Sequence, residues 1–344
     1  MKKAFINEIP SEIEKLLRKY VDLSHSNTKV FKTTTSFNVQ NLEDGDCNAI
    51  INLKKINDIR FVNKFQEAVN EKLPDGGYYI GLVETQEQRK LRLLKKFIPG
   101  LAHIYFIFDF TFKRFFPKMP ILKKFYFFIT NGRNRVMSKA EALGRLVSCG
   151  FRIVEVYQFD NLTYFVGKKE KVPHYDLNPS YGPVFAMTRI GKDGKNIKVF
   201  KLRTMYPYAE YLQEYIYEQN SLADGGKFAD DFRVTSWGKL IRKIWVDELP
   251  MIFNLLRGDI KIVGVRPLSR HYHSLYSKEL QDKRKDAKPG LLPPFYVDMP
   301  RTLEEIVDSE LKYLKSYANN PFTTDFKYFV AICNSILFRK ARSK

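Results

Sequence analysis

Apolar residues along the first 170 positions follow two spacings in turn, one typical of strands and one typical of helices. Three runs have the composition and length of strands: 29–39, 47–56 and 74–85. Helical spacing lies between the second and third runs, with Phe61, Phe65 and Val69 on one face. Farther along, a capped helix and a turn at Gly150 lead into two more strands. This alternation predicts an α/β domain over residues 1–172.

Beyond residue 180 the pattern changes to a hairpin followed by helices. Residues 182–205 hold two alternating strands around the turn GKDGK. A long helical stretch is predicted next, over residues 207–222. Residues 173–344 are therefore expected to form a second domain, of the α+β class.

Two adjacent carboxylates open a helix predicted from the run ELPMIFNLLR. Because Pro250 is tolerated only in a first helical turn, the helix is expected to begin at Asp247 or Glu248 and to end before Gly258. The free N–H groups at such a start favour an anion by about 0.3–1 kcal/mol, which is expected to keep Asp247 ionised. An ionised carboxylate beside a bound phosphate is a competent nucleophile, and its neighbour is suited to hold a divalent metal or to move a proton. The alternative is that Asp247 only caps the helix.

Positive charge is concentrated in one segment. The formal net charge is +20, and residues 89–139 contain thirteen Lys or Arg against one acid, Asp109. Twelve aromatic residues lie between Phe97 and Phe128. Because aromatic rings favour the membrane interface and basic side chains attract anionic head groups, this insert is predicted to associate with a membrane surface. Its longest uncharged run, 97–108, is shorter than the about 20 residues that a spanning helix needs.

Other interpretations of the basic segment stay open. It also fits a pair of aromatic-rich core helices with solvated lysines. Aromatic and basic residues together suit single-stranded nucleic acid as well, although these apolar clusters are denser than a stacking groove needs. The N-terminus reaches acidic residues before an apolar run forms, which predicts no secretory signal. Three widely separated cysteines predict neither a disulfide framework nor a zinc site, and they fit a reducing compartment.

Several ordered motifs follow one another from about Tyr181 to the C-terminus. They are GPVF (182–185), RIG (189–191), FKLRTM (200–205), DFRVTSWGKLIRK (231–243), DELP (247–250) and GDIKIVGVRP (258–267). In order and spacing they resemble the monotopic phosphoglycosyl transferases, also called bacterial sugar transferases. The chain departs from that pattern at Val265, in KPGLLPPFYV, and in the polar stretch before the hairpin, where the family has an apolar re-entrant helix. Glu310 is the acid nearest to an aspartate expected near the C-terminus, and it is not assigned to the site.

The resemblance implies an enzyme at the cytoplasmic face of a bacterial inner membrane. It would move a sugar-1-phosphate from a nucleotide diphosphate sugar to a polyprenyl phosphate. Asp247 falls at the position of the nucleophilic aspartate and Glu248 at that of its partner, and both are expected to hold Mg²⁺. Five basic residues at matched positions are expected to bind phosphates: Arg189, Lys201, Arg203, Arg242 and Arg266. On this interpretation no nucleic-acid partner is expected, residues 97–130 would supply membrane insertion, and the oligomeric state is open.

The N-terminal domain more weakly resembles the later half of class I methyltransferases, through KLPDGGYYIGLVET and LGRLVSCGFRIVEVYQF. The Gly-rich loop that holds the cofactor in that class is missing, because Gly45 is the only glycine before Gly76. The resemblance therefore implies a Rossmann-like, methyltransferase-like shell without cofactor chemistry. For the whole chain, the main alternative is a catalytically silent membrane-binding scaffold of a glycan-assembly pathway, with nucleic-acid binding and methyl transfer behind it.

Overall fold

The chain divides into two compact units. The structure, a computed structural model, describes residues 2–43, 45–175, 181–219, 222–223, 227–228, 231–300 and 302–338. The N-terminal unit consists of Met1–Tyr181 together with Tyr206–Gln219, and the C-terminal unit consists of Gly182–Met205 and Asn220–Lys344. The predicted domain limits, 1–172 and 173–344, stay a prediction.

A five-stranded sheet organises the N-terminal unit. Its strands are β1 (Thr28–Phe31), β2 (Ala49–Lys55), β3 (Tyr78–Val83), β4 (Phe151–Phe159) and β5 (Leu162–Lys169). They lie in the order β1-β2-β3-β5-β4. The first three strands are parallel, and β5 runs antiparallel to both of its neighbours. The predicted α/β, Rossmann-like class is confirmed for this unit.

Helices connect these strands and cover the sheet. They are α1 (Lys2–Ile6), α2 (Ser11–Leu17), α3 (Phe37–Gln40), α4 (Val62–Lys72), α5 (Gln86–Lys96), α6 (Leu101–Phe110), α7 (Pro120–Thr130), α8 (Lys139–Ser148) and α9 (Gln213–Gln219). The apolar face of α2, with Ile13 and Leu17, packs on Ile51, Ile80 and Val166 of the sheet. Burial of such side chains, at roughly 1.5–3 kcal/mol each, is the main favourable contribution to this core.

Two local predictions for this unit are wrong. The strand predicted over 29–39 ends at Phe31, because the side chain of Asn52 binds both the N–H and the carbonyl oxygen of Thr33, at 3.0 Å each, and takes the place of further ladder bonds. Phe61 does not belong to the buried face of α4. It precedes the helix and is 59% exposed, with Arg60 and Lys64 over its ring.

The basic insert forms two short helices, α6 and α7, joined by a π-helical turn at Thr111–Phe115 and a 3-10 turn at Phe116–Lys118. Arg89 of α5 binds both carboxylate oxygens of Asp109 at 2.6 and 2.9 Å, and this buried pair fixes α6 to α5. Large apolar side chains are exposed along both helices: Leu101, Ile104, Ile107, Phe108, Ile121, Phe125, Phe128 and Ile129. None of the helices within the described residues is both long and apolar enough to cross a membrane.

Residues 206–219 follow the FKLRTM motif but pack within the N-terminal unit. Residues 220 and 221 of the long helix predicted over 207–222 lie outside the described residues, and up to Gln219 the segment is a 3-10 turn, Ala209–Leu212, that continues into α9. Tyr208 enters this turn in a left-handed conformation, with φ 63°. Its backbone lies against Gly144 of α8 so closely that a Cβ at Gly144 would be 2.2 Å from the Tyr208 carbonyl oxygen. Glycine is therefore required where α8 meets the segment.

The C-terminal unit combines short strands with helices. Its strands are β6 (Val184–Ile190), β7 (Asn196–Leu202), β8 (Leu222–Ala223), β9 (Lys227–Phe228), β10 (Lys261–Val263) and β11 (Gly290–Leu292). Its helices are α10 (Ser236–Lys243), α11 (Met251–Leu256), α12 (Arg270–Ser274), α13 (Lys278–Lys285), α14 (Phe295–Asp298), α15 (Leu303–Asn319) and α16 (Pro321–Phe338). The predicted hairpin is present as the antiparallel pair β6–β7. The α+β class is confirmed.

A core of helix and strand residues holds this unit together. Tyr313 of α15 and Ile332 of α16 are fully buried and pack with Val263 of β10. The Tyr313 hydroxyl donates to Asp325 at 2.6 Å, and Asp325 also receives Lys261 Nζ at 2.8 Å. These polar bonds tie the last helix to the strand that follows the DELP segment.

Candidate active site

The DELP segment is a tight turn that precedes a helix. Trp245 has left-handed backbone angles, φ 54°, and the 3-10 turn Val246–Glu248 follows it. Helix α11 then begins at Met251, with Pro250 as the residue before its first turn. The helix predicted to start at Asp247 or Glu248 thus starts later, because Pro250 has no N–H and separates the two turns. The two carboxylates lie on the short turn and not on the α-helix.

Asp247 is a buried carboxylate with an unused oxygen. Its residue is 9% exposed, and Oδ1 has no hydrogen-bond partner among the residues that the structure describes. Burial raises the pKa of Asp247 above its ordinary value, while the charge of Lys201 lowers it and that of Glu248 raises it further. This pKa shift is opposite in direction to the effect expected at a helix start, because desolvation outweighs the favourable charges nearby, and the ionised state of Asp247 stays a prediction.

Lys201 and Glu248 form an ion pair beside this carboxylate. Lys201 is delivered by β7, and its Nζ lies 2.6 Å from Glu248 Oε1, with 16% of each side chain exposed. The pair therefore keeps a cation next to two carboxylates. Sequence reasoning assigned both residues to the site, and the structure brings them together.

Arg242 approaches Asp247 from the last turn of α10. Its Nε donates to Thr204 Oγ1 at 2.9 Å. Burial lowers the pKa of Arg242 and the charge of Asp247 raises it, so the two groups interact electrostatically. A Cβ at Gly238 would lie 2.1 Å from the Thr204 carbonyl oxygen, so this glycine lets α10 contact the chain just after β7.

The other three basic residues predicted for the site lie elsewhere in the C-terminal unit. Arg203 donates from Nε to the Gly182 carbonyl oxygen at 3.0 Å and covers the ring of Phe185, so it closes the open end of the hairpin. Arg189 and Arg266 are close enough that Arg266, together with burial, lowers the pKa of Arg189. The structure therefore brings Lys201 and Arg242 close to Asp247, and it brings Arg189 and Arg266 close to each other.

Sequence reasoning missed residues that support these cations. Asp231 and Arg233 form a pair with N–O distances of 2.7 and 2.8 Å, and both influence the pKa of Arg242. Thr204 orients Arg242, as described. The signal was available, since all three lie within the matched motifs FKLRTM and DFRVTSWGKLIRK. No charge pattern distinguished them from surface polar residues.

Glu310 has a structural role in the C-terminal unit. It is buried and accepts a hydrogen bond from Arg284, whose other nitrogen donates to the carbonyl oxygen of Arg266 at 2.5 Å. Burial raises the pKa of Glu310 against the opposing charge of Arg284. This pair fixes the backbone at Arg266 through α13 and α15.

Asp247 and Glu248, which we call the dyad, fit a divalent metal only if a bound substrate supplies further ligands to it. The part of the chain that the structure describes contains no group of three or more Asp, Glu, His or Cys side chains placed to hold a metal ion. Asp247 offers an orphaned, buried oxygen, and Glu248 lies next to it. Mg²⁺ is commonly held by one or two carboxylates together with substrate phosphates and water, and these two residues fit that pattern.

A buried carboxylate dyad between a lysine and an arginine is typical of a site that handles phosphate groups. Residues 176–339 match the family model described as bacterial sugar transferase. The resemblance predicted for the C-terminal half is confirmed by this match.

Curated relatives are similar over the same part of the chain. The sugar transferase EpsL of Bacillus subtilis is 39% identical over 107 residues, which are 31% of this chain and 46% of that protein. The UDP-glucose:undecaprenyl-phosphate glucose-1-phosphate transferase of Klebsiella pneumoniae is 31% identical over 166 residues, which are 44% of this chain and 34% of that protein. The chain thus spans less than half the length of either relative.

A solved structure of a SAM-dependent methyltransferase from Thermotoga maritima is 12% identical, over 49% of this chain and 100% of that chain. Its TM-score of 0.27 supports no argument about the N-terminal unit. The Rossmann-like class of that unit rests on its own sheet.

Proposed function

We propose that the protein is a phosphoglycosyl transferase that moves a sugar-1-phosphate from a nucleotide diphosphate sugar to a polyprenyl phosphate. One observation carries the proposal: Asp247 keeps a buried, unpartnered oxygen between Lys201 and Arg242, within the residues that match the sugar transferase family. A buried carboxylate without a partner destabilises the fold, so its presence is best explained by a reaction that uses it. The relative from Klebsiella, whose name states this type of reaction, supports the choice.

In the first half-reaction, an Asp247 oxygen attacks the phosphorus that carries the sugar. A bond forms between that oxygen and phosphorus, and the bond between the same phosphorus and the bridging oxygen of the diphosphate breaks. Nucleoside monophosphate leaves with that oxygen, and the phosphosugar stays on Asp247. Lys201 and Arg242 lie where they would stabilise the negative charge that spreads over the phosphoryl oxygens.

In the second half-reaction, an oxygen of the polyprenyl phosphate attacks the same phosphorus. The bond to Asp247 breaks, the carboxylate is regenerated, and the product is a polyprenyl diphosphosugar. Asp247 is the attacking group in the first step and the leaving group in the second, so it is required in both. The ion pair with Lys201 holds Glu248 beside the reacting oxygen throughout.

Asp247 and Glu248 would hold Mg²⁺ when the donor diphosphate supplies the remaining ligands. The metal would neutralise the negative charge of the diphosphate next to two carboxylates. Burial alone raises the pKa of Asp247, so a bound cation together with Lys201 and Arg242 favours the ionised, nucleophilic form.

We also propose that the enzyme works at a membrane surface, at the cytoplasmic face of a bacterial inner membrane. The acceptor carries a long hydrocarbon chain, so the protein must meet it at a lipid surface. In the N-terminal unit, α6 and α7 expose Phe108, Ile121 and Phe128, and the last two are 85% exposed. In the C-terminal unit, Trp237 and Phe253 on α10 and α11 are exposed near the dyad in sequence. Aromatic and basic residues together favour this interface.

The covalent mechanism is tested by intact-mass analysis after incubation with a panel of nucleotide sugars and Mg²⁺, without acceptor. The expected result is a phosphosugar adduct on the wild type and none on Asp247→Asn. Asp282→Asn removes an exposed carboxylate and serves as the matched control, which keeps the adduct. An adduct of equal yield on Asp247→Asn excludes the proposed nucleophile. Release of nucleoside monophosphate only after polyprenyl phosphate is added, with no adduct in its absence, indicates direct transfer, and no release from any donor with the acceptor present supports the silent scaffold.

Membrane association is tested by co-sedimentation with vesicles that contain anionic phospholipid. Replacing Ile121 and Phe128 by serine is expected to reduce the bound fraction several-fold, because each change removes about 1.5–3 kcal/mol of apolar burial in the interface. Phe37→Ser removes an exposed phenylalanine outside the insert and is the control. Unchanged sedimentation of a protein that lacks residues 97–130 would exclude this role for the insert.

A further inference from the structure

A group of buried and partly buried basic side chains lies in the N-terminal unit, outside the site described above. Arg114 and Lys118 come from the connection between α6 and α7, Arg145 comes from α8, and Arg135 precedes α8. All four interact with Glu141 of α8. We call these four cations the basic cluster. Nothing in the transferase reaction uses them.

Glu141 is the acid at the centre of the basic cluster. It accepts from Arg114 at Oε2 and from Arg145 Nη2 at Oε1, the latter at 3.0 Å, and Lys118 Nζ lies 3.6 Å from Oε2. The positive surroundings hold the pKa of Glu141 well below its ordinary value despite its burial. Glu141 is therefore ionised and balances one of the four positive charges.

The remaining positive charge is poorly compensated. Burial and the charges of Arg114 and Arg145 lower the pKa of Lys118 to about 7, against the opposing effect of Glu141. Burial and Arg145 likewise lower the pKa of Arg135 to about 10. A buried excess of positive charge is unfavourable unless an anion accompanies it. Rings of Tyr181 and Tyr208 lie 5.6 and 4.5 Å from the Arg145 guanidinium and soften this cost only in part.

Some donor groups of the basic cluster are not used by Glu141 and could bind such an anion. Arg145 Nε and Arg135 Nε are both buried and have no hydrogen-bond partner within the described ranges. Lys118 makes only the long contact to Glu141 and a ring contact to Tyr181, of the interactions that the structure records. Three basic side chains that interact electrostatically through Arg145 and Glu141 thus keep donor capacity for a ligand. Guanidinium and ammonium donors together match the oxygens of a phosphate group.

The position in the fold also fits ligand binding. The Arg135 N–H donates to the carbonyl oxygen of Asn57, which follows β2, and its guanidinium donates to that of Ile59 at 2.6 Å. Thr85, directly after β3, pairs with Met137 just before α8. The basic cluster therefore lies past the carboxyl ends of two parallel strands. In open α/β sheets this edge is where ligands bind.

We propose that the basic cluster of the N-terminal unit binds a phosphate group. The proposal stands independently of the transferase function. Two sources of that phosphate share the same chemistry: a soluble phosphorylated molecule, and the head group of an anionic phospholipid. The second source is suggested by α6 and α7, whose exposed apolar residues flank Arg114 and Lys118.

Lys118→Met is the variant that tests the proposal. The recorded ion pair of Lys118, with Glu141, is long at 3.6 Å, and Glu141 keeps its shorter bonds to Arg114 and Arg145. Removal of Lys118 relieves repulsion with these arginines and is expected to leave the thermal unfolding temperature of the full-length protein unchanged or higher in chloride. The wild type, titrated with inorganic phosphate at constant ionic strength, is expected to show a saturable rise in that temperature. In Lys118→Met the apparent Kd for phosphate is expected to rise at least about tenfold. Lys123→Met, an exposed lysine of α7, should behave as the wild type.

A parallel experiment separates the two sources and the two sites. Co-sedimentation with phosphatidylglycerol vesicles, against phosphatidylcholine vesicles, is measured for the same variants. If binding to phosphatidylglycerol falls in Lys118→Met while inorganic phosphate has no effect on the wild type, the ligand is a lipid head group. Lys201→Met should keep the phosphate response, which separates this site from the dyad. Equal phosphate and vesicle responses in Lys118→Met and the wild type would overturn the proposal.

Discussion

The ion pair between Lys201 and Glu248 gives the sharpest quantitative prediction. The Nζ–Oε1 distance is 2.6 Å, and 16% of each side chain is exposed. Exposed pairs contribute about 0.2–1 kcal/mol, whereas removing one partner of a buried pair costs about 3–5 kcal/mol. At this intermediate burial, Lys201→Met is expected to destabilise the C-terminal unit by about 2 kcal/mol. Since 1 kcal/mol corresponds to about 2–4 °C in a protein of 150–250 residues, its unfolding temperature should fall by about 4–8 °C.

A double-mutant cycle isolates the pair from its neighbours. Lys201→Met, Glu248→Gln and the double variant are unfolded thermally and in denaturant at the same pH and salt. The coupling free energy between the two positions is expected to be about 1–2 kcal/mol, and to fall with rising salt less than that of an exposed pair. The exposed pair Lys285–Asp282 is the matched control, with an expected coupling close to zero because both side chains are solvated. A coupling of that small size at Lys201 and Glu248 would refute the geometry from which the site is built.

Three further predictions concern buried charges in the C-terminal unit. Asp247→Asn is expected to raise the unfolding temperature by a few degrees at neutral pH, corresponding to about 1 kcal/mol, because it removes a carboxylate whose ionised form is poorly solvated. Because the folded-state pKa of Asp247 is raised, the stability that this group contributes is present below its unfolded pKa and is lost as pH rises through the folded pKa. A pH–rate profile of adduct formation should show the rate falling, as pH is lowered, at a higher pH than an ordinary aspartate would give. In Lys201→Met this acid limb of the profile should lie at still higher pH, because the charge that lowers the pKa of Asp247 is gone. Glu310→Gln should destabilise by about 3–5 kcal/mol by leaving Arg284 buried without its carboxylate, and adding Arg284→Met should recover part of the loss in denaturant unfolding.

The sequence was informative where reactive residue types lie in motifs of recognisable spacing. The motif match placed Asp247, Glu248, Lys201 and Arg242 in one site, and the structure brings these residues together. The α/β alternation also predicted the class of the N-terminal unit, because parallel strands and crossover helices leave distinct periodicities.

Local sequence patterns could not predict which groups are buried or which distant residues are in contact. The pKa of Asp247 is raised because α10, β7 and the DELP turn together exclude water from it, and no short window of sequence contains all three. Arg203 lies in the same motif as Lys201, but it follows the end of β7 and bonds to the Gly182 carbonyl oxygen, so the two cations have different surroundings. Thr33 ends β1 through Asn52, a contact made by a residue nineteen positions away.

The close approach of Tyr208 to Gly144 limits where the coding sequence can be cut without separating residues that pack together. The chain enters the first unit a second time at residues 206–219, after the hairpin has already been made. A shortened reading frame that starts at residue 173 would encode Leu212 and Ile216 without the N-terminal residues that bury them in the full-length protein. Any single crossover point between residues 182 and 219 therefore divides at least one unit, since it separates residues 206–219 from the rest of the first unit or residues 182–205 from the rest of the second.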